Sequence, residues 1–199
     1  LSETQLIGLT WQRGYRSGGV NVRTRAAHDS YDPEFTSTFE LAWRASWLDR
    51  RLRTSANLYH TDWKDQQVSF LNLSDNTVQV ANAASSRMIG LELSAEYLLN
   101  AQWLLNAGFA SNDTKYEDFV RGGVDLSGRE FVFAPKTMAN LGANYTFGNG
   151  LMLGVDTVYQ GKSISNFNTN AAREVTGERH NDSVVLVNLN AEYPIGDLT

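Results

Sequence analysis

The chain has 199 residues, no cysteine, a formal net charge of -5 and a pI near 5.2. These totals exclude a disulfide framework and a Cys-ligated zinc site, and the acidic balance speaks against a nucleic-acid partner. No run of about eighteen apolar residues occurs, so no transmembrane helix is present. A mean hydropathy of -0.35 still permits transmembrane strands, whose alternation keeps the average low.

Period 2 governs the chain from one end to the other, and no long segment prefers the helical period. Ile7, Leu9 and Trp11 alternate with Gly8 and Thr10. Phe39, Leu41, Trp43, Ala45 and Trp47 alternate with Glu40, Ala42, Arg44 and Ser46, and a second alternating run begins at Leu52 after Asp49-Arg50-Arg51. Further runs start at Ile89, Trp103, Ala139, Leu151 and Val185. The pattern predicts about eight strands, most drawn at ten or more residues, which is longer than the usual globular strand of about five to six. A tilted strand needs about nine to eleven residues to cross a bilayer.

The connections alternate in length. Leu48–Arg51, Leu99–Gln102 and Gly148–Gly150 are tight, whereas Arg16–Pro33, Lys64–Arg87, Asn112–Pro135 and Gly161–Asp182 are long. Outer-membrane barrels show this asymmetry, with short periplasmic turns and long outer loops. Trp47, Tyr97, Trp103, Phe147 and Tyr193 share the apolar face and all lie beside tight turns. They are expected to form an aromatic girdle at the periplasmic interface, since indole and phenol groups favour a boundary that is apolar on one side and wet on the other. The polar face, with Glu40, Arg53, Asn57, Glu92, Asn140 and Asn188 among others, is then expected to line a lumen.

Chemistry-bearing constellations are weak. His28, His60 and His180 are scattered; His60 and Asp62 share a strand face, while Asp65 nears a loop, so no metal site is expected. No nucleophile elbow or phosphate loop is present, so neither enzymatic activity nor a cofactor is expected. Val68–Val80 reads equally as a hairpin rising above the wall or as a loop excursion. The first long loop carries Arg16, Arg23, Arg25 and His28 against Asp29 and Asp32. With Tyr15 and Tyr31 it is the candidate outer-loop site for an anionic ligand.

Several blocks, in order along nearly the whole chain, resemble TonB-dependent outer-membrane receptors. They are "QRGYRSGGVN" (Gln12–Asn21), "YDPEFTSTFELAWRASW" (Tyr31–Trp47), "RLRTSANLYHTDWKDQQV", "NAASSRMIGLELSAEY" and "DLSGREFVFAPKTMANLGANYTF". The resemblance implies an all-β antiparallel transmembrane barrel of about 22 strands, of which residues 1–199 are an internal part of the C-terminal half. The plug domain and the closing strands are expected to lie outside these residues. It also implies energised uptake of a scarce nutrient, with ferric siderophores as ligand class, a Gram-negative outer membrane as location, and the TonB complex as partner through the plug. Two alternatives stand beside it: a passive porin-like channel, and a soluble β-sandwich that binds partners with its apolar face closed on a second sheet.

Overall fold

Alternating residues put opposite chemistries on the two faces of a strand, so the side chains fix which face of each strand may be wet. The computed structural model describes residues 4–21, 29–72, 77–121 and 123–195. In chain order the strands are β1 (Gln5–Arg16), β2 (Gly19–Asn21), β3 (Asp29–Tyr31), β4 (Glu34–Trp47), β5 (Leu52–Asn72), β6 (Thr77–Leu98) and β7 (Trp103–Asp118). Then follow β8 (Val120–Arg121), β9 (Val124–Asp125), β10 (Thr137–Thr146), β11 (Met152–Gln160), β12 (Ser163–Thr169), β13 (Val175–Asn181) and β14 (Val184–Glu192). Eight of them form one antiparallel sheet in the order β1-β4-β5-β6-β7-β10-β11-β14. The others pair off as β2–β3, β8–β9 and β12–β13, each inside a long connection.

The tight turns all lie at one end of this meander. Leu48, Asp49 and Arg50 take left-handed φ values of 55°, 55° and 67°, and Arg51 N donates to Leu48 O at 3.1 Å. Asn100 closes the next turn: its Oδ1 accepts from the N–H groups of Gln102 and Trp103 at 3.0 and 2.9 Å. In the third, Gly150 sits at φ 86° and donates to Phe147 O at 2.9 Å. The long connections all leave from the opposite end.

Those connections are more ordered than alternation predicts. The expected loop from Lys64 to Arg87 is a continuation of strand: β5 and β6 are 21 and 22 residues long and pair as far as Asn72 with Thr77. The hairpin reading of Val68–Val80 therefore holds, with its tip at 73–76 outside the described residues. Likewise β7 runs on to Asp118. Backbone pairing persists here while apolar alternation stops, because neither face of the extension needs to meet lipid.

Among the described residues no second sheet covers the apolar face, so the sandwich alternative is not formed. Leu9, Leu141 and Leu189 stand 78%, 65% and 81% exposed on it. The buried cluster lies elsewhere, in the long connections: Tyr116, Phe119 and Leu126 pack with Val68, Val124, Phe131, Phe167 and Val175.

Candidate functional site

The site is a wall with two faces and a set of outer loops. Register places Ile7, Trp43, Ala56, Leu93, Phe109, Ala139, Tyr159 and Val185 opposite one another across all eight sheet strands. The row contains no charged side chain. The adjoining row on the other face runs Leu6, Arg44, Ser55, Ser94, Gly108, Asn140, Val158, Leu186, and is free of large apolar side chains from β4 to β10. This second face is tied by polar cross-strand bonds. Arg53 Nη1 meets Glu96 Oε1 at 3.3 Å, the hydroxyls of Ser55 and Ser94 are 2.7 Å apart, and Thr38 and Thr61 hydroxyls are 2.9 Å apart. Tyr59 Oη donates to Asn112 Oδ1 at 2.7 Å, reaching across Gly90, over which its ring lies. A β-carbon on Gly90 would collide with that ring.

All five residues of the expected periplasmic girdle stand on the apolar face near the tight turns. Trp47 Nε1 donates to Thr54 Oγ1 at 2.9 Å, and its ring lies 6.1 Å from that of Trp43. Trp103 packs on Tyr145 at 4.8 Å, and Tyr145 meets Phe147 edge-on at 4.6 Å. Tyr97 is half-buried and Tyr193 is exposed. They do not share one hydrogen-bonded row. The row through Trp47 reaches Tyr97 and then Leu105, two residues beyond Trp103. Tilted strands produce this stagger, because a row perpendicular to the strands is not level with the membrane. At the other end the apolar face carries aromatic pairs that alternation alone did not single out, Trp11–Phe39 at 6.3 Å and Tyr15–Phe35 at 5.3 Å.

The candidate loop residues separate. Tyr15 turns outward, 64% exposed, beside Phe35. Arg16 turns the other way, and its Nε pairs with Glu34 Oε1 at 3.2 Å. The other Glu34 oxygen accepts from Gln67 N at 2.7 Å, so Arg16 and Glu34 together anchor the start of the first long connection on β5. Tyr31 covers Gly19 in the β2–β3 pair. Arg23, Arg25 and His28 lie outside the described residues. A set of amides unremarked in the sequence holds this connection down. Asn21 exchanges two 2.8 Å bonds with the Val80 backbone. Asn82 donates to Asp32 O at 2.9 Å and accepts from Asp32 N at 2.8 Å. Gln67 Nε2 donates to Ser17 O and Asp32 O at 2.9 and 3.1 Å. Scattered Asn and Gln carry no periodic signal, so only their convergence in space reveals them.

Outside the wall, Asp125 accepts hydrogen bonds from the hydroxyl and backbone N–H of Ser127, which hold its carboxyl below the usual carboxylate range. Ser127 Oγ in turn accepts from Phe119 N at 3.0 Å. Lys136 is pushed above the usual lysine range by Glu130, 2.6 Å away. His60 meets Asp62 at 2.9 Å, and among the described residues no group of three or more metal-ligating side chains converges there or elsewhere.

An antiparallel meander with an apolar band on one face, a mainly polar opposite face and every long connection at one end is the wall of a transmembrane β-barrel. The chain belongs to the TonB-dependent receptor family: the family model for the TonB dependent receptor-like beta-barrel matches residues 2–199. It is therefore an outer-membrane protein. Over 164 residues it is 27% identical to the probable TonB-dependent siderophore receptor PiuA of Acinetobacter baumannii, covering 78% of this chain and 21% of that protein. Among solved structures, it resembles the siderophore receptor PiuA from Acinetobacter baumannii with a TM-score of 0.70 at 21% identity, over 98% of this chain and 28% of that one. The ferric yersiniabactin uptake receptor FyuA from Yersinia pestis gives 0.68 at 18% identity, over 96% and 27%. The copper transporter OprC gives 0.70 at 16% identity, over 98% and 30%. At such identities the solved structures show the fold alone. The chain spans less than a third of each of these proteins.

Proposed function

We propose that residues 1–199 form part of the barrel wall of a receptor that imports a ferric siderophore across the outer membrane with energy supplied through TonB. The observation that carries this reading is the match of the whole wall, residues 2–199, to the receptor barrel. The siderophore class is supported by the relationship to the protein named as siderophore receptor PiuA. In this reading the wall performs no covalent chemistry. It supplies rigid lining, since in a closed barrel every backbone donor and acceptor at membrane depth is paired with a neighbouring strand. Its outer connections supply capture. The plug and the contact with TonB belong to the remainder of the intact receptor. The Trp47, Tyr97, Trp103, Phe147 and Tyr193 rings anchor the wall at the periplasmic interface.

Arg23, Arg25 and Tyr31 are the capture residues of this proposal. Cations near a binding site raise the local concentration of an anionic ligand, and an aromatic ring packs on its flat groups. Arg16 has a different part, because its guanidinium is engaged with Glu34. The test uses the full-length receptor and a ferric catecholate siderophore, followed by fluorescence quenching at low and high ionic strength. Arg23→Ser with Arg25→Ser is expected to weaken binding several-fold at low salt and little at high salt, as screening removes their attraction. Lys162→Ser, in another long connection, is the control. Parent-like affinity of the double variant at low salt removes this loop from the capture site.

A further inference from the structure

The polar face changes its charge along its height. Counting rows up from the first tight turn, Ser46, Arg53 and Glu96 stand level on β4, β5 and β6. Arg44, Ser55 and Ser94 form the next row of that face. Ala42, Asn57 and Glu92 follow, and Glu40 lies beside Tyr59 in the row beyond. The two lower rows therefore carry a guanidinium each, and the two upper rows carry only carboxylates. Arg44 and Glu40 are about 13 Å apart along their strand.

Arg44, Arg50, Arg53 and Glu96 line one open trough of about 600 Å³ at the end that holds the tight turns, with Ser55 and Ser94 between them. Arg53 Nη1 meets Glu96 Oε1 at 3.3 Å, and both side chains are at least half open to water. Arg44 and Arg50 form no ion pair among the described residues. Arg51, by contrast, turns its guanidinium to the carbonyls of Leu48 and Leu99 at 3.4 and 3.5 Å. Arg50 is also held at φ 67°, where a glycine would sit without strain. Backbone strain that persists in a turn points to a role for the side chain it presents.

We infer that Arg44, Arg50 and Arg53 form a release station at the periplasmic end of the lumen, which takes the anionic oxygens of the imported iron chelate. The station rests on the proposed function, because it receives the same cargo after capture. Three guanidinium groups against one carboxylate leave the trough cationic, and each offers forked donors to catecholate or carboxylate oxygens. Glu40 and Glu92, higher on the same face, repel the same anion. An anion that has passed their level is held below it and disfavoured from returning. Exposure to water keeps the attraction weak, so the cargo can leave for the periplasm.

The experiment is equilibrium dialysis of the detergent-solubilised full-length receptor against a radiolabelled ferric tris-catecholate, at low and high ionic strength. The parent is expected to show a tight site from outer capture and a second, weaker site that salt abolishes. Arg44→Gln with Arg53→Gln is expected to keep the tight site and weaken the second by about tenfold, the lower end of what a charged cleft does to a counter-ion. Arg44→Lys with Arg53→Lys is expected to restore most of that loss, since the charge is kept. Arg50→Gly, which relieves the turn, is the second variant and is expected to weaken only the second site. Retention of the tight site verifies that each variant is assembled. A parent without the tight site overturns the proposed function and the station with it. A parent with the tight site alone overturns the station and leaves the proposed function standing. So does a second site that keeps its affinity in both Arg44→Gln with Arg53→Gln and Arg50→Gly.

Discussion

Gly90 is where a single hydrogen atom decides a local packing arrangement. Tyr59 lies across it to reach Asn112, and a β-carbon there must displace the ring. Gly90→Ala is therefore expected to cost about 1–2 kcal/mol, of which loss of the tyrosine bond is about 1 kcal/mol. Tyr59→Phe should show only the part owed to the hydrogen bond, and reversible unfolding in lipid by urea titration separates the two. At the first tight turn the strain is in the backbone. Arg50 holds φ at 67°, a region that side chains disfavour. Arg50→Gly is expected to stabilise the hairpin by about 1 kcal/mol in the same titration, and a destabilised variant would show that the side chain matters more than the backbone. Asp125 gives a pH-dependent contact. Its folded carboxyl is held below its unfolded value by Ser127, so its contribution is present above the unfolded value and lost as pH falls through the folded one. Hydrogen exchange at Phe119, whose N–H rests on Ser127, should accelerate over that acid range and do so less in Asp125→Asn.

At the scale of elements, the two faces of one strand make opposite demands. On β10, Leu141 points to lipid and Asn140 to the lumen. Leu141→Arg is expected to cost about 2–4 kcal/mol, the cost of a cation near the bilayer midplane, and Asn140→Arg much less. Equal costs on folding into bilayers would contradict the assignment of faces. The β5–β6 hairpin has a second use above the membrane, as the post to which the first long connection is tied. Asn82 alone contacts both sides of the Asp32 peptide unit and also donates to Asp65 O at 2.6 Å. Asn82→Ala should raise amide exchange around Asp32 by about tenfold or more, as expected for loss of one to two net hydrogen bonds. Barrel assembly should be unchanged.

For the molecule as a whole, stability has two separate sources. The wall relies on strand pairing and surrounding lipid, with its large apolar residues exposed, while the outer connections rely on a small core of their own. Phe119 is 2% exposed in that core, with Tyr116 at 5.0 Å. Phe119→Ala is expected to destabilise the loop cluster by about 3–5 kcal/mol. Limited proteolysis should then cut within the outer connections while the barrel resists. The eight-strand sheet also has β1 and β14 as edges, each paired on one side only. The 199-residue chain alone in water is expected to associate edge to edge, and a monodisperse monomer by light scattering would contradict this.

By itself the sequence determined the two faces of the wall, the tight turns and the end from which the long connections leave. Each of these follows from local rules: side chains alternate with period 2, and Asp49-Arg50 or Asn149-Gly150 between alternating runs mark reversals. Ordered blocks such as Gln12–Asn21 and Tyr31–Trp47 carried the family. Only the tertiary structure decided that Tyr15 faces outward beside Phe35, that Arg16 is held by Glu34, and that Asn21, Gln67 and Asn82 tie the first connection to the β5–β6 hairpin. It alone set Arg44, Arg53 and Glu96 around one trough. These contacts link residues tens of positions apart, and their partners are set by strand register. Register depends on how neighbouring strands stagger, which no local pattern of residues records.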